Sequence, residues 1–366
     1  MVGASDLAFR RLCRLHGADA CYTEMLFSER LVAEAGYRER KLRTADDDRP
    51  LIVQLCGNEP ATVAAAAALV EATCACDALD LNLGCPLPRA REQHFGAWLL
   101  EREEWPRVCA IVRAMLAATS LPVCAKIRLL STVEETIELV DALSEAGCTM
   151  VAVHARQVPP IGMHRDQRRA QLADLDAVRQ ICAARSDSSD AARPLIVTNG
   201  NTQVAADVSA NLALTGADGL MAAEGLLRNP LLFEQDRALL PDAPTPPHQL
   251  PHSPPQSPAH SPVHSPADRC DESTATDGLG REDLARVALE YLALAAGSDG
   301  RPAEEPSVMR SHVMWMLGKS GKGERCLFEW LGPYTPQQLR LALLDAESAE
   351  QLAAIVRAVL ALAVDS

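Results

Sequence analysis

The stretch RPLIVQLCGNEPATVAAAAALVEATCACDALDLNLGCP, residues 49–86, decides the fold of this chain. Its two short apolar runs, residues 51–56 and 78–83, flank a longer apolar segment with a helical pattern. Runs that are apolar throughout and only five or so residues long are typical of parallel strands covered on both faces. The stretch therefore predicts a strand, a helix and a second strand parallel to the first.

The same alternation continues on both sides of this stretch. Further strand patterns occupy residues 18–26, 121–129, 149–156, 193–201 and 219–225. These runs make seven strands, and residues 1–17 resemble the end of an eighth strand followed by its helix. Eight strand and helix units predict an α/β fold, a (β/α)₈ TIM barrel. Met1 and Val2 are too few for a strand, so the first barrel strand is expected to be truncated.

An open doubly wound sheet is the alternative to the barrel. If such a sheet bound a dinucleotide, it would need a glycine-rich phosphate loop after its first strand. No such loop is visible in the sequence, which favours the barrel.

A composition shift divides the chain into three parts. Residues 241–268 repeat Ser-Pro and His-Ser-Pro with almost no apolar content, which is typical of a flexible linker. The predicted domains are a barrel over residues 1–238, a disordered linker over 239–280 and an all-α domain over 281–366, where apolar residues recur at helical spacing. The histidines of the linker are interpreted as incidental to this tract.

Charge and cysteine content narrow the class of protein. A net charge of −14 argues against a generally basic nucleic-acid coat, although a local basic patch is compatible with it. The twelve cysteines are scattered, with no secretory leader ahead of them, which favours reduced thiols. Cys74 and Cys76 lack a second pair at ligand spacing, so no metal is expected. No run is long enough for a membrane span, and we expect a soluble, cytoplasmic protein, with the nucleus left open.

Polar residues close six successive predicted strands. They are Gln54, Asn82 with Cys85, Lys126 with Arg128, His154 with Arg156, Asn199 with Asn201, and Glu224. Each alone could be a hydrogen-bonded core group or a long side chain reaching water. Strand ends converge at the mouth of a barrel. Burying so many polar atoms there would cost free energy unless a polar ligand occupied the mouth. The pattern predicts a ligand site.

The types of group indicate the ligand. The segments TNGN and AAEG end the seventh and eighth strands, where barrels commonly bind a phosphate. An amide, a cation and an imidazole, from Gln54, Lys126 and His154, could surround a flat heterocycle and favour negative charge on its reduced form. This combination predicts flavin mononucleotide (FMN), with a nicotinamide as a visiting reductant.

The motifs resemble those of the tRNA-dihydrouridine synthases. MVGASDLAFRRL, CYTEML, VQLCGN, DLNLGCP, AKIR, VHAR, TNGN and GLMAAEGLLRNPLLF occur in that family's order over residues 1 to about 235. Within the family, HGADACYTEML and AEGLLRNPLLF look most like the eukaryotic branch that acts on uridines 16 and 17 of the tRNA D-loop. The resemblance implies that NADPH reduces FMN, which then reduces a flipped uracil.

The resemblance also implies residue roles. Cys85 would be the catalytic acid that protonates C5, and a neutral thiol can donate a proton at physiological pH. FMN would be bound by Met1, Val2, Gln54, Lys126, His154, Asn199, Gly200, Asn201, Ala223, Glu224 and Gly225. Asn82 and Arg128 would face the uracil. The other cysteines, including Cys56 and Cys124, are interpreted as core residues.

A buried flavin requires that the enzyme bind the tRNA backbone elsewhere. The helical domain resembles the family's RNA-binding unit in position and size. Its basic residues Arg310, Lys319, Lys322 and Arg325 are therefore predicted to contact tRNA, with RDQRR at 165–169 as a second point. On charge alone these residues would be a solvated face. No partner besides tRNA is predicted, and the chain is expected to be a monomer.

Three other functions stay open at this level. A flavin barrel enzyme could act on a free pyrimidine, which would not require a basic helical domain. A Schiff-base enzyme could use Lys126 as its nucleophile. The truncated first strand and altered loop residues, among them Ala155 and Gln157, also fit a catalytically impaired family member that only binds tRNA.

Overall fold

The computed structural model describes residues 1–160, 163, 171–186, 193–239, 281–297, 303–318 and 336–364. Three predicted features lie outside the described residues: most of the linker at 239–280, the basic run 165–169, and Lys319, Lys322 and Arg325.

A parallel sheet forms the centre of the molecule. Its strands are β1 (Cys21–Tyr22), β2 (Leu26–Phe27), β3 (Leu51–Cys56), β4 (Ala78–Asn82), β5 (Val123–Leu129), β6 (Met150–Gln157), β7 (Leu195–Asn199) and β8 (Gly219–Met221). Pairing runs in the order β1, β3, β4, β5, β6, β7, β8, with β2 also on β3, and every pair is parallel. This order is that of the predicted barrel.

Helices connect the strands. They are α1 (Leu7–Leu15), α2 (Ser28–Ala33), α3 (Ala35–Lys41), α4 (Pro60–Thr73), α5 (Pro88–Glu92), α6 (Trp105–Ala118), α7 (Val133–Glu145), α8 (Leu175–Ser186), α9 (Ala206–Thr215), α10 (Glu224–Arg228) and α11 (Leu232–Leu239), with 3₁₀ turns at Gly96–Leu99 and Arg102–Glu104. Asp6 begins α1 by accepting a hydrogen bond from the Phe9 N–H, as preferred cap residues do.

The strands separate two kinds of side chain. Alternate residues such as Leu79 and Leu81 pack with the helices in the main apolar core. The residues between them point the other way, and Ile52, Ala78 and Cys124 form a separate small cluster at the base of the sheet's inner face. Because side chains alternate along a strand, this inner face also carries Gln54, Asn82, Lys126 and His154 towards the carboxyl ends.

The first strand is the part of the barrel that differs. Met1 and Val2 form a turn with exposed side chains, and within the described residues no pairing joins β8 to β1. The predicted strand at 18–26 also splits into β1 and β2. The split follows from Thr23, whose Oγ1 accepts the backbone N–H of Gln54 at 3.0 Å in place of a ladder bond.

The C-terminal residues form helices, as predicted. They are α12 (Arg281–Ala295), α13 (Pro306–Gly318), α14 (Pro336–Asp345) and α15 (Ala349–Val364). Their apolar cluster is continuous with that of α1, because Phe9 and Leu12 pack in the same cluster as Tyr291 and Val313. The helical region therefore buries α1 in a shared core.

Two histidines add polar contacts to this junction. His16 on α1 lies 2.6 Å from Glu234 on α11 and 2.7 Å from Glu290 on α12. His312 on α13 is fully buried, stacks on Phe9 at 4.4 Å, and has its Nε2 2.5 Å from Asp6 Oδ2. Among the described helices, none is both long and apolar enough to cross a membrane.

Candidate active site

The strand register brings the predicted site residues to one end of the sheet. Asn82 on β4 pairs with Lys126 on β5, and Arg128 pairs with His154 on β6, which in turn pairs with Asn199 on β7. These residues lie on neighbouring strands and on the same inner face of the sheet. The predicted convergence of polar strand ends is therefore what the sheet produces.

Cys85 lies on the turn that follows β4. Asn82 Oδ1 accepts the backbone N–H groups of Gly84 at 3.2 Å and Cys85 at 3.0 Å, so a strand-end side chain shapes the turn. The Cys85 carbonyl accepts the Ala97 N–H at 3.1 Å. The half-buried thiol packs in a small apolar cluster with Phe95.

This setting keeps the Cys85 thiol protonated. Burial raises its pKa above the ordinary value, and a hydrogen bond from the Leu87 backbone and the charge of Arg128 only partly oppose that rise. Burial disfavours the charged thiolate, so at neutral pH the group is an S–H proton donor. Cys56 and Cys124 are buried, as predicted for core residues.

Behind the turn lies a chain of buried hydrogen bonds. Asn82 Nδ2 donates to Gln54 Oε1 at 2.8 Å, and Gln54 Nε2 donates to Asp80 Oδ2 at 2.8 Å. All three are buried: Asn82 is 9% exposed, Gln54 7% and Asp80 0%. The sequence predicted Gln54 and Asn82 but missed Asp80. The strand pattern could have indicated Asp80, because it lies two residues before Asn82 and therefore faces the same side of the sheet.

The burial of the Asp80 carboxyl lowers the stability of the fold. Burial raises the pKa of its carboxyl to about 7, although the bond from Gln54 and the charge of Lys126 oppose the rise. Within the described residues its Oδ1 has no hydrogen-bond partner. A buried carboxylate with an unpartnered oxygen is rare in proteins and calls for an explanation.

Lys126 and His154 lie on neighbouring strands at the mouth and differ in charge. Burial, reinforced by Arg128, lowers the pKa of Lys126 to about 8, which leaves it mainly cationic at pH 7. Burial and the positive charges of Lys126, Arg128 and Arg156 strongly lower the pKa of His154. His154 is therefore a neutral imidazole.

The tautomer of His154 follows from its neighbour. Arg156 Nη1 lies 3.1 Å from His154 Nε2. A guanidinium can only donate, so Nε2 accepts and the ring proton sits on Nδ1. Arg156 also donates to Asn201 Oδ1 at 2.9 Å. It thereby ties the end of β6 to the loop after β7, a contact that the sequence did not indicate.

Arg128 connects the Cys85 turn to β6. Its Nε donates to the Gly84 carbonyl at 2.7 Å and its Nη1 to the Gln157 carbonyl at 3.1 Å. It is also one of the charges that lower the pKa of His154. The turn, Lys126 and His154 therefore share one neighbourhood.

Two glycines allow tight packing of the loops that are predicted to bind phosphate. A Cβ at Gly225 would lie 2.5 Å from the Thr202 carbonyl oxygen, and one at Gly200 would lie 2.8 Å from Ala173 Cβ, where φ is +133°. Asn199 Nδ2 donates to the Met221 carbonyl at 2.8 Å, which joins β7 to β8 just before Ala223 and Glu224. Only glycine allows these loops to approach so closely.

The remaining predicted residues lie elsewhere. Met1 and Val2 precede Gly3, whose N–H donates to Glu24 Oε2 at 2.9 Å, so this turn is fixed against the loop between β1 and β2. Arg310 is half-buried on α13 and its Nη1 donates to the Ala346 carbonyl at 2.7 Å. Its predicted tRNA contact stays a prediction.

The residues present fit a flavin. The mouth offers a cation, a neutral imidazole and two amides, and a phosphate end where Cβ atoms at Gly200 and Gly225 would fill the cradle. Within the described residues, the Lys126 ammonium has no hydrogen bond or ion pair, so its donors are available to a ligand. This donor set suits an electron-rich ring and an attached phosphate.

Comparison with known proteins identifies the family. The family model of dihydrouridine synthase matches residues 1–255. The chain belongs to the dihydrouridine synthase family. It is 38% identical over 236 residues to a mouse protein named tRNA-dihydrouridine(16/17) synthase [NAD(P)(+)]-like, covering 64% of this chain and 46% of that protein. It is 33% identical to the fission yeast (Schizosaccharomyces pombe) tRNA-dihydrouridine(16/17) synthase [NAD(P)(+)], covering 64% and 55%.

The chain spans about half the length of the curated relatives that it matches. Relatives named for positions 20a and 20b also match, at 32% identity for the budding yeast protein. Among solved structures, a 2-naphthoyl-CoA reductase complex aligns with a TM-score of 0.47 at 11% identity, covering 64% of this chain and 47% of the other.

Proposed function

We propose that this protein reduces uridine to 5,6-dihydrouridine in the D-loop of tRNA, at position 16 or 17, with FMN as cofactor and NADPH as reductant. Membership of the family supports the reaction, and the relatives named for positions 16 and 17 support the target. Bound FMN, once reduced, would supply the hydride that adds to C6 of the uracil.

Cys85 supplies the proton in this proposal. Hydride addition at C6 leaves an electron pair at C5, conjugated with the C4 carbonyl. The Cys85 S–H bond then breaks, its proton forms the new C5–H bond, and the thiolate takes a proton back from solvent before the next turnover. The raised pKa of Cys85 supports this role, because the thiol must be protonated when the uracil arrives.

Asn82 and Arg128 would orient the uracil beside the acid. Both already contact the Cys85 turn, Asn82 through two backbone N–H groups and Arg128 through the Gly84 carbonyl. A uracil aligned by either residue is thereby aligned with the thiol, which is how positioning lowers a barrier. Lys126 and neutral His154 would hold the flavin ring, and the 199–201 and 223–225 loops its phosphate.

The observation that carries the proposal is the hydrogen-bonded path from Gln54 through Asn82 to Cys85. It connects a residue predicted to face the flavin, on β3, with the predicted proton donor, on the turn after β4. A flavin-independent Schiff-base reaction at Lys126 would not require this path.

The tRNA-binding residues are part of the proposal. Arg310, Lys319, Lys322 and Arg325 would contact phosphates on the helical region, which binds the tRNA while a base leaves its stack. We propose that the protein acts as a monomer in the cytoplasm, with the nucleus open. Because the helical region shares its core with α1, its deletion would expose Phe9 and Leu12 of α1 to water and is not a clean test of tRNA binding.

The direct test uses the whole chain, FMN, NADPH and a tRNA transcript that lacks dihydrouridine. Mass mapping of nuclease fragments should find a gain of 2 Da at position 16 or 17. Free uridine at the same concentration is the control for the alternative of a free-pyrimidine enzyme. Equal reduction of uridine and tRNA would favour that alternative, and a protein that binds tRNA and FMN but reduces neither substrate would be an impaired family member.

A further inference from the structure

The hydrogen-bond path that ends at the Cys85 turn has a fixed direction. At one end lies the Asp80 carboxyl, whose Oδ2 accepts a hydrogen bond from Gln54 Nε2. In its ionised form, above its pKa of about 7, this group can only accept hydrogen bonds. At the other end two backbone N–H groups, those of Gly84 and Cys85, can only donate. Between them lie two amides, Gln54 and Asn82, each with a donor end and an acceptor end.

We propose that Asp80 is a positioning residue that sets the orientation of Gln54 and Asn82 and thereby holds the Cys85 turn in place. This inference rests on the proposed function, since it assigns the turn its role as carrier of the proton donor. Asp80 touches neither the reacting atoms nor the turn and acts through the two amides.

The orientation follows link by link. Asp80 Oδ2 requires a donor, so Gln54 presents Nε2 to it. Gln54 Oε1 is then left to face Asn82, which must present Nδ2. Asn82 Oδ1 is consequently directed at the turn, where it accepts both N–H groups. Reversing either amide would place oxygen against oxygen or N–H against N–H in a buried site.

Such a reversal is costly enough to matter. Each buried polar group left without its partner carries a desolvation penalty, and a reversal would leave groups unpaired at two links. Without Asp80 the Gln54 amide would lose its fixed acceptor and both orientations would become accessible. The turn would then keep its N–H bonds for only part of the time.

The burial of Asp80 supports a role beyond packing. Its side chain is fully buried and its Oδ1 lacks a hydrogen-bond partner in the described chain, so an apolar residue of similar size would be the more stable choice. The carboxylate is therefore kept at a cost in stability, which a positioning role explains.

The test is amide hydrogen exchange on the folded protein without cofactor, read by NMR or fragmentation at Gly84 and Cys85. In Asp80→Leu both amides should exchange about 10-fold faster than in the wild type, since losing about 1.4 kcal/mol of protection gives that ratio. Asp80→Asn keeps an acceptor oxygen for Gln54 and should restore exchange to within about 3-fold. Thr198→Val is the control, because it removes a buried hydroxyl that also lacks a hydrogen-bond partner among the described residues. It should leave the exchange rates of these two amides unchanged.

Three results would overturn the proposal. They are unchanged exchange at Gly84 and Cys85 in Asp80→Leu, equal acceleration at strand amides such as Val153, and exchange in Asp80→Asn as fast as in Asp80→Leu. If Asp80→Leu does not fold, Gln54→Leu breaks the path at the next link and should give the same local acceleration. Unchanged exchange in that variant would also contradict the proposal.

Kinetics on tRNA separate this inference from the proposed function. With saturating FMN, Asp80→Leu should lower kcat about 10-fold while the KM for tRNA changes less than about 2-fold, because only the acid's position is affected. A wild-type protein inactive on tRNA would refute the function and leave the exchange result valid. Unchanged amide exchange in Asp80→Leu, together with an active wild type on tRNA, would refute the positioning role of Asp80 and leave the proposed function standing.

Discussion

A Cβ at Gly96 would lie 2.9 Å from the carbonyl oxygen of Cys85, and Gly96 has a φ of +65°. The 3₁₀ turn at Gly96–Leu99 is thus packed directly against Cys85, which carries the proposed acid. Any side chain at this position must displace the Cys85 turn or distort its own backbone.

Gly96→Ala should therefore impair turnover with little effect on flavin binding. We expect kcat to fall at least about 10-fold, as displacement of a catalytic group by a fraction of an ångström does. Gly216→Ala is the matched control, because Gly216 has a φ of +64° but nothing within 4 Å of its Cβ position. It should cost similar backbone strain, on the order of 1 kcal/mol, at full activity. Equal losses in both variants would assign the effect to strain alone.

Gly225→Ala should weaken FMN binding. Its Cβ would lie 2.5 Å from the Thr202 carbonyl oxygen, so the predicted phosphate loops must separate. We expect the Kd for FMN, measured by flavin fluorescence, to rise at least about 10-fold, since a displaced phosphate site loses on the order of 1.4 kcal/mol. Gly219→Ala makes only an ordinary 3.5 Å contact with Val197. Its Kd should match the wild type, and an unchanged Kd in Gly225→Ala would place the phosphate elsewhere.

Lys126→Met should stabilise the protein without cofactor while abolishing FMN binding. Burial and Arg128 lower the Lys126 pKa to about 8, so the folded state holds this proton less tightly than the unfolded chain. The charged form consequently destabilises the fold below pH 8, and this cost declines as pH rises towards the unfolded pKa of roughly 10.4. We expect urea unfolding at pH 7 to show a gain on the order of 1–3 kcal/mol that shrinks by pH 10.

The Lys126 result has a surface control. Lys41→Met removes a partly exposed lysine that pairs with Glu24 and should lower stability slightly or not at all. A loss of stability in Lys126→Met at pH 7, with FMN binding retained, would show that Lys126 is not a buried cation reserved for the ligand.

His16 should make the junction between α1 and the helical region sensitive to pH. Burial opposes its charge, but hydrogen bonds with Glu234 and Glu290 outweigh burial and raise its pKa. Its stabilisation is therefore complete below the unfolded pKa of roughly 6.5 and is lost as pH rises through the folded pKa. His16→Asn should cost on the order of 1 kcal/mol at pH 5.5 and less at pH 9, because partly exposed carboxylates screen the interaction.

The exposed His94, which lies 3.2 Å from Glu104, provides the comparison. His94→Asn keeps a residue that tolerates a positive φ, and it controls for the loss of an imidazole outside the junction. A pH-independent loss in His16→Asn would mean that the ring acts by packing alone.

Local pattern predicted much of this molecule. The two-residue period of strands placed Gln54, Asn82, Lys126 and His154 on one face, because alternation is a property of the backbone and does not depend on distant contacts. Helical spacing likewise predicted α12 and α13.

Contacts between distant residues could not be predicted in the same way. The strand at 18–26 breaks because the Thr23 side chain accepts the backbone N–H of Gln54 in place of a ladder bond. Arg156, near the end of β6, donates a hydrogen bond to Asn201 in the loop after β7. Asp80 was interpreted as part of an apolar strand, since its partner lies 26 residues away. The shared core of α1 and α12 depends on packing across more than 270 residues, a distance at which hydrophobic pattern carries no pairing information.

The central claim is that Cys85 donates the proton to C5 of a tRNA uracil. A single-turnover experiment tests it: enzyme whose FMN has been reduced in advance is mixed with tRNA, and flavin oxidation is followed by absorbance. We expect Cys85→Ala to bind FMN and tRNA normally but to oxidise its flavin at least about 100-fold more slowly than the wild type, because a general acid usually contributes about that much. Flavin oxidation at the wild-type rate in Cys85→Ala, with dihydrouridine formed, would contradict it.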